Sequence, residues 1–489
     1  MCNMKKQLKN HLSPTIEKTC LTALALAAWS AVAGTYIPNE GDIPVRVWQT
    51  TGEKSFREVP TTPFTHHFYT DRAPLDVDAA EERHVFSWLG VSMTDASAWI
   101  LNELPAEKRA AILEAVFGKS GAQLGAVRLN IGASDYSTAL YTYNDTPGDV
   151  EMKNFSVARD DRHLFPMVKE ALKANPDLFL FASPWSPPGW MKDTGNFVIG
   201  NFKDGCENAL ANYFTAYVKA CAKRGLDVKA VTVENESNLS TRGTYPSCVY
   251  TALQEANCAK AMRKAFDAAG LSTQIWIWDH NYDGATERVP LQLGEFGLKD
   301  VVQGVAWHSY WSEPQRMWPL KEAYPEISFY HTEMGPNIAT DKRTERWWAD
   351  KIFGAIENGC QSFTGWNLCL TPDGQPLTGP HPCGGLVNVD LDTGDYTFSS
   401  QYTVFRHIAP FVKKGAKVLK VDGMKDDCGT IFFRNPDGEH VMVVVSAGRG
   451  SATSDSGPRP RVYVKFRDEM KHLPLPLKTW SVTTMVFGR

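Results

Sequence analysis

"AVTVENES" (residues 230–237) runs apolar and β-branched as far as Val233 and then stops on Glu234, Asn235 and Glu236. A strand buried on both faces reads as such a short apolar run, and in α/β folds the residues just past its C-terminal end are the ones that meet a ligand. The fold therefore depends on whether other segments repeat the plan. Seven do: "HVFSWLG" (84–90), "AVRLNIG" (126–132), "DLFLFAS" (177–183), "QIWIWD" (274–279), "VVQGVAW" (301–307), "ISFYHT" (327–332) and "QSFTGW" (361–366). With "VKAVTVE" (228–234) they make eight. Amphipathic segments separate them. In "ENALANYFTAYVKACAKRG" (207–225), Leu210, Tyr213, Phe214, Tyr217, Val218 and Cys221 recur at helical spacing, and Gly225 supplies the stop. Eight alternating units over roughly 330 residues predict an α/β fold of the (β/α)8 TIM-barrel type. A doubly wound open sheet is the alternative, but no glycine-rich phosphate loop follows an early strand.

The flanks have a different texture. From about residue 412 short alternating runs and turns take over: "AKVLKV", "GTIFFRNPDGEHVMVVVSAG", "RVYVKF" and "WSVTTMVF", with Asp437-Gly438 as a hairpin turn. They predict an attached antiparallel β-sandwich over 412–489. "IPVRVWQTTG" (43–52) also alternates and has no partner nearby, so residues 34–60 are expected to add a strand to that sandwich, leaving 61–411 for the barrel. Residues 1–33 carry Lys5, Lys6 and Lys9, then the apolar run "CLTALALAAWSAVAG", with Ala31-Val32-Ala33 as a small-residue cleavage site. They read as a signal peptide, and the chain as secreted or periplasmic. No later segment is long and apolar enough to cross a bilayer.

Of 489 residues, 51 are Lys or Arg and 55 are Asp or Glu, and no basic run is present, so nucleic acid is not an expected partner. The 10 cysteines form no C-x-x-C pair and no H-E-x-x-H occurs, so neither a metal nor another cofactor is expected. In an oxidising compartment Cys369 and Cys383 are a candidate pair.

The strand ends collect a particular chemistry. Asn235 and Glu236 follow the fourth strand, Glu333 the seventh, "SPWSPPGWM" the third, His308 and Tyr310 the sixth, and Asn367 the eighth. Two carboxylates from different strands, flanked by amides and aromatics, suit glycoside hydrolysis, in which one carboxyl group protonates the leaving oxygen and the other serves the anomeric carbon. Trp185, Trp190, Trp276, Trp278, Trp307, Trp311 and Trp366 lie in or near strand ends, where a flat face can stack on a sugar; core packing is the competing reading, strongest for Trp276 and Trp278. Strand parity puts Thr232, Glu234 and Glu236 on one face. Depth then favours Glu236, nearer the mouth, for catalysis, and Glu234 for a supporting role.

In these motifs the chain resembles glycoside hydrolase family 30, particularly its glucosylceramidase (acid β-glucosidase) type. The resemblance is carried by "RLNIGASDYS" with "YTYND", "ASPWSPPGWMK", "AVTVENES", "AWHSY", "HTEMG" and "GWNLCLTPDGQP", and runs from about residue 84 to the C-terminus. It implies a retaining mechanism with Glu236 as acid/base and Glu333 as nucleophile. It also implies a first sugar subsite of Asp135, Trp185, Asn235 and Trp366, with Arg128, His308, Tyr310 and Glu234 in support. Relatives usually have proline after the catalytic "NE", where this chain has Ser237. The expected activity is hydrolysis of β-glucosides. Endo-β-1,6-glucanase or another β-glycosidase activity of the family is the alternative, and a non-catalytic glycan-binding barrel is the reading from a different class. In every case the expected partner is a carbohydrate. Burial and the negative charge of Glu333 are expected to raise the pKa of Glu236.

Overall fold

The computed structural model describes residues 43–489 apart from 53, 61–64, 67–74, 339–343, 424–427, 447–461, 467–468, 474–479 and 489; the expected leader over 1–33 lies outside the described residues. Eight parallel strands form the central sheet: β1 (Trp88–Met93), β2 (Ala126–Asn130), β3 (Phe179–Ser183), β4 (Val228–Thr232), β5 (Gln274–His280), β6 (Gly304–His308), β7 (Ser328–Glu333) and β8 (Ser362–Gly365). They run in the order β7-β6-β5-β4-β3-β2-β1-β8. The ring closes where Phe329 bridges Cys360 and the Gln361 N–H donates to the Phe329 carbonyl at 2.7 Å. Helices cover the outside, so most strand positions are buried, which is why these strands read as unbroken apolar runs.

The barrel interior is filled by side chains of alternating bulk. From β1 to β7 the sequence around one buried cluster is Trp88, Ala126, Phe181, Ala230, Trp276, Ala306 and Tyr330. Large rings from odd strands fill the space left by alanines on even ones. Trp276 stacks on Tyr330 with ring centroids 4.1 Å apart, and Trp88 lies nearly parallel to Tyr330 at 5.9 Å. Two residues further along, the inward positions turn polar: Arg128, Ser183, Thr232, His308 and Thr332, all fully buried. The aromatic ring is thus a floor, and the polar positions are the site built on it.

The first expected strand, 84–90, does not exist as one unit. Leu75–Val85 belongs to a second sheet and β1 starts at Trp88, so the barrel begins later than residue 61. Between them Phe86 donates to the Ala416 carbonyl and Ser87 to that of Gln361, each at 2.7 Å, as the chain passes from one sheet to the other. Leu75–Val85 escaped notice because it is acidic; it pairs antiparallel with Lys417–Gly423, and Glu81 meets Lys420 at 3.2 Å.

The second sheet has ten strands: Lys54–Val59, Val45–Thr51, Ser481–Phe487, His440–Ser446, Cys428–Arg434, Lys417–Gly423, Leu75–Val85, Val462–Phe466, Glu469–Leu473 and Thr65–His66 in spatial order. Its neighbours are antiparallel except where Lys465 lies parallel to Asp78. Val45–Thr51 pairs with Ser481–Phe487 from Val45↔Phe487 to Thr51↔Ser481. One face buries Val45, Val47, Phe432, Met442, Val444 and Met485 in a core of its own; Phe433, Val441, Val443 and Val486 join the main core. Cys369 is a free thiol, so the candidate pair of Cys369 and Cys383 is not formed. They sit on separate elements, with the Cys369 N–H on the Ser97 hydroxyl and the Cys383 N–H on the Tyr136 hydroxyl. Among the described residues, no helix is long and apolar enough to cross a membrane.

Val47 is fully buried between two neighbouring strands. Val47→Asp is expected to cost on the order of 3 kcal/mol by placing an unpaired carboxylate in that core. Denaturant unfolding of the variant would show this as a lower midpoint.

Candidate active site

Arg128 on β2 is the centre of the polar layer. Its Nη2 donates to Asp279 Oδ2 at 2.8 Å and to Asn235 Oδ1 at 2.9 Å, its Nε reaches Ser183 Oγ at 3.2 Å, and its Nη1 pairs with Glu333 Oε2. The guanidinium lies 4.9 Å from the Trp185 ring and 5.7 Å from the Trp366 ring, which stack on each other at 5.0 Å. Burial opposes its charge, but Asp279 and Glu333 more than restore it and raise its pKa.

Asp279 saturates both of its oxygens. Oδ2 accepts from Arg128, Ser183 Oγ (2.9 Å) and Thr232 Oγ1 (2.7 Å); Oδ1 accepts from Thr332 Oγ1 (2.6 Å) and lies 3.1 Å from His308 Nε2. Burial pushes its pKa up, and Arg128 and His308 outweigh this and hold it well below the usual carboxylate range. Simple alternation would have aimed Trp278 inward here. Instead Trp278 and Asp279 have φ values of 76° and 47°, and the pairing of β5 with β6 slips by one residue at this point. The slip turns the Trp278 ring outward, where its Nε1 donates to the Asn281 carbonyl at 2.9 Å, and brings Asp279 inward. Left-handed backbone at a non-glycine residue costs about 1–3 kcal/mol, so the surroundings must enforce it.

The two candidate carboxylates meet across His308. Its Nδ1 lies 3.4 Å from Glu236 Oε1 and 3.8 Å from Glu333 Oε1. Burial disfavours a charged imidazole, but Glu333, Asp279 and Glu236 surround it and raise its pKa from 6.5 to about 9. The Tyr310 hydroxyl donates to Glu333 Oε1 at 2.9 Å, and the Asn281 side chain holds the Tyr310 N–H at 2.9 Å. Glu236 has a second histidine, with His280 Nε2 3.2 Å from its Oε1 while His280 Nδ1 faces Asn238 Oδ1 at 2.7 Å.

The upward shift expected for Glu236 is not found. Burial does push it up, but His280 and His308 outweigh that and hold it below the usual carboxylate range. Asp135 goes the other way: burial, then Glu333 and Glu236, raise it well above the usual range, and its buried Oδ1 has no hydrogen-bond partner.

The shared face expected for Thr232, Glu234 and Glu236 is also absent, because β4 ends at Thr232 and Glu236 occupies a left-handed turn with φ of 52°. Glu234 is fully buried, and that burial raises its pKa well above the usual range, with Lys192 opposing. Of the tryptophans singled out, Trp185 and Trp366 meet over Arg128, while Trp276 lies in the aromatic floor. Trp307 packs against Phe329 with centroids 5.2 Å apart, Trp190 bonds the Asn144 carbonyl at 3.0 Å, and Trp311 is 70% exposed. Asn367 accepts from Thr94 Oγ1 at 2.8 Å, fixing the turn after Trp366. Sequence reading missed Asp279, which a regular β5 would have pointed outward, and His280, which the rule applied to the other strand ends would have found. Among the described residues, no group of three His, Cys, Asp or Glu side chains is placed to hold a metal.

The raised His308 pKa has a consequence for stability. Such a group contributes its full stabilisation below its ordinary 6.5 and loses it as pH rises through about 9. The unfolding free energy of the wild type is therefore expected to fall across that window relative to His308→Gln. Urea unfolding of both proteins at several pH values measures the difference.

Residues 87–412 match the model of the glycosyl hydrolase family 30 TIM-barrel domain. An endo-1,6-beta-D-glucanase of Neurospora crassa is 28% identical over 482 residues, spanning 91% of this chain and 94% of that protein. The lysosomal acid glucosylceramidase of Mus musculus is 26% identical over 383 residues, spanning 73% and 74%. The crystal structure of SrfJ from Salmonella typhimurium superposes with a TM-score of 0.82 at 24% identity, covering 91% of this chain and 99% of that one. The chain belongs to glycoside hydrolase family 30, and is a glycoside hydrolase whose substrate is a carbohydrate.

Proposed function

We propose that the enzyme hydrolyses β-glucosidic bonds with retention, through a covalent glycosyl-enzyme on Glu333, with Glu236 as acid/base. The observation that carries the reading is the single His308 nitrogen within 4 Å of both carboxylates. Contacts of 3.4 and 3.8 Å to one nitrogen keep the two carboxylates close, which is compatible with the roughly 5 Å separation that retention calls for. In the first step a Glu333 oxygen bonds to the anomeric carbon, the glycosidic C–O bond breaks, and Glu236 gives a proton to the leaving oxygen. In the second, water attacks that carbon, Glu236 takes its proton, and the ester bond breaks to return the Glu333 carboxylate.

Charge balance supports this cycle. In the resting site Arg128 and protonated His308 offset Asp279 and Glu333, which leaves Glu236 as the place where a further proton is gained or lost. The neighbouring imidazoles hold Glu236 below the usual carboxylate range, so the proton it delivers is shared with His308. Esterification of Glu333 removes the charge that most strongly raises His308. The balance then favours Glu236 as a carboxylate, the form that activates water. In the sugar subsite, Trp185 and Trp366 would supply a stacking face and Asp135 an unpaired polar atom for hydroxyl groups.

For the substrate, the likeness to the endo-1,6-beta-D-glucanase spans more of the chain than that to the glucosylceramidase, so β-1,6-glucan takes precedence over a glycolipid. The basic and apolar lead over residues 1–33 supports a secreted or periplasmic enzyme, where such a polymer is met.

Glu333→Gln is expected to lower turnover of an aryl β-glucoside more than a hundredfold, some 3 kcal/mol of barrier; retention of more than a hundredth of the activity would remove Glu333 as nucleophile. Glu236→Ala should keep its first step on a dinitrophenyl β-glucoside and lose it on a methyl β-glucoside, because only the second leaving group needs a proton. Azide should then restore turnover and give the β-glycosyl azide. An α-azide would contradict the retaining cycle.

A further inference from the structure

Behind the turns that carry Glu236 and Asp279 lies a buried carboxylate that touches neither. Glu255, near the start of the helix Ala252–Ala268, is fully buried. Its Oε1 accepts the Trp278 backbone N–H at 2.8 Å. Its Oε2 accepts from the Ser237 hydroxyl at 3.1 Å, from Gln292 Nε2 at 2.7 Å, and from Arg288 Nη2 and Nε at 2.8 and 3.1 Å. Arg288 also donates to the Tyr250 carbonyl at 3.0 Å, and the Tyr250 N–H to the Ser237 carbonyl at 2.7 Å.

The donors that matter come from the residue after Glu236 and the residue before Asp279. Their segments are joined directly as well, since the Glu236 N–H donates to the Asp279 carbonyl at 2.9 Å. Glu236, Trp278 and Asp279 all have positive φ, and none is glycine. An apolar side chain at position 255 would fill the space but would accept neither the Trp278 N–H nor the Ser237 hydroxyl. Losing the carboxylate would not loosen every site residue equally. Asp279 keeps Arg128, Ser183, Thr232 and Thr332, and Glu333 keeps Arg128 and Tyr310. Glu236 is different: its carboxylate contacts are two histidines at 3.2 and 3.4 Å, so its placement depends on the backbone of its turn.

We propose that Glu255, acting through Ser237 and the Trp278 N–H, is a positioning residue for proton transfer, setting where Glu236 stands relative to the glycosidic oxygen. The proposal rests on the reading of Glu236 as acid/base. A misplacement of about 1 Å can cost as much as a hundredfold in rate. The loss should fall on the step that needs a proton and spare the attack by Glu333.

The test compares kcat/KM for dinitrophenyl and methyl β-glycosides of the sugar the wild type accepts, in Ser237→Ala, Ser237→Thr, Glu255→Gln and Glu236→Ala. Ser237→Ala is expected to lose about tenfold on the methyl glycoside and less than about threefold on the dinitrophenyl one. Ser237→Thr, which keeps the hydroxyl, should recover most of that loss. Glu255→Gln should show the same selectivity, and decides the question if Ser237→Ala does not fold. Equal losses on both substrates, or no loss on either, in Ser237→Ala and Glu255→Gln would overturn the positioning role while Glu236→Ala keeps its selectivity. Equal losses in Glu236→Ala would overturn the acid/base reading and this proposal with it.

Discussion

A guanidinium with no access to water has to be neutralised within the protein, and Arg128 imposes that condition on the whole upper barrel. An isolated buried charge costs several kcal/mol, so β2 can carry Arg128 inward only if carboxylates come to it from other strands. Asp279 and Glu333 do so from β5 and β7. For Asp279 to arrive, β5 must depart from regular alternation, and that departure in turn requires a support outside the barrel. The buried Glu255–Arg288 pair, with side-chain separation of 2.8 Å, is that support. The charge of one residue at the centre thus fixes backbone conformation at the second layer and side-chain chemistry at the third.

Beneath this polar layer the aromatic floor has a separate function. Wide rings alternating with alanines fill the inner layer closely, so the charged groups above rest on packed side chains. The strand ends then absorb the strain: Glu236, Asp279 and Asn367 each take a left-handed conformation where a strand hands over to its loop. Rigid strands set positions, and a few strained turns set directions.

Much of this was legible in the sequence because barrel strands are buried on both faces and so announce themselves as apolar runs. The convergence of Glu236, Glu333, His308 and Tyr310 follows from the rule that strand ends share one mouth, whereas Arg128, inside its strand, was implied only by the family resemblance; the five lie together. What escaped was irregular or charged. The "HVFSWLG" run merges the end of one strand with the start of another, and nothing in its composition marks Phe86 and Ser87 as the crossing. Leu75–Val85 carries Asp76, Asp78, Glu81 and Glu82, and Glu81 meets its counter-charge at Lys420 on the neighbouring strand. The parity argument about Glu234 and Glu236 assumed that β4 continued to residue 236, whereas it ends four residues earlier. Asp279 was hidden by the same assumption of regularity, since an unslipped β5 would have pointed it at the helices. The direction of the Glu236 shift depended on His280, a residue that only the folded chain brings alongside it.

The pairing of Val45–Thr51 with Ser481–Phe487 also constrains how the protein is made. Val45–Thr51 is laid against Ser481–Phe487, with Val45 opposite Phe487, so this part of the second sheet cannot form until residue 487 has been made and has left the ribosome. The eight barrel strands, which pair mostly with their neighbours in sequence, are free to assemble earlier. Synthesis at about 5–20 residues per second leaves Val45–Thr51, beside Lys54–Val59, without this second neighbour for tens of seconds. During that interval Val45 and Val47, two residues apart on one face, lack the strand that later covers them and are open to any chaperone or translocation machinery that binds extended apolar segments.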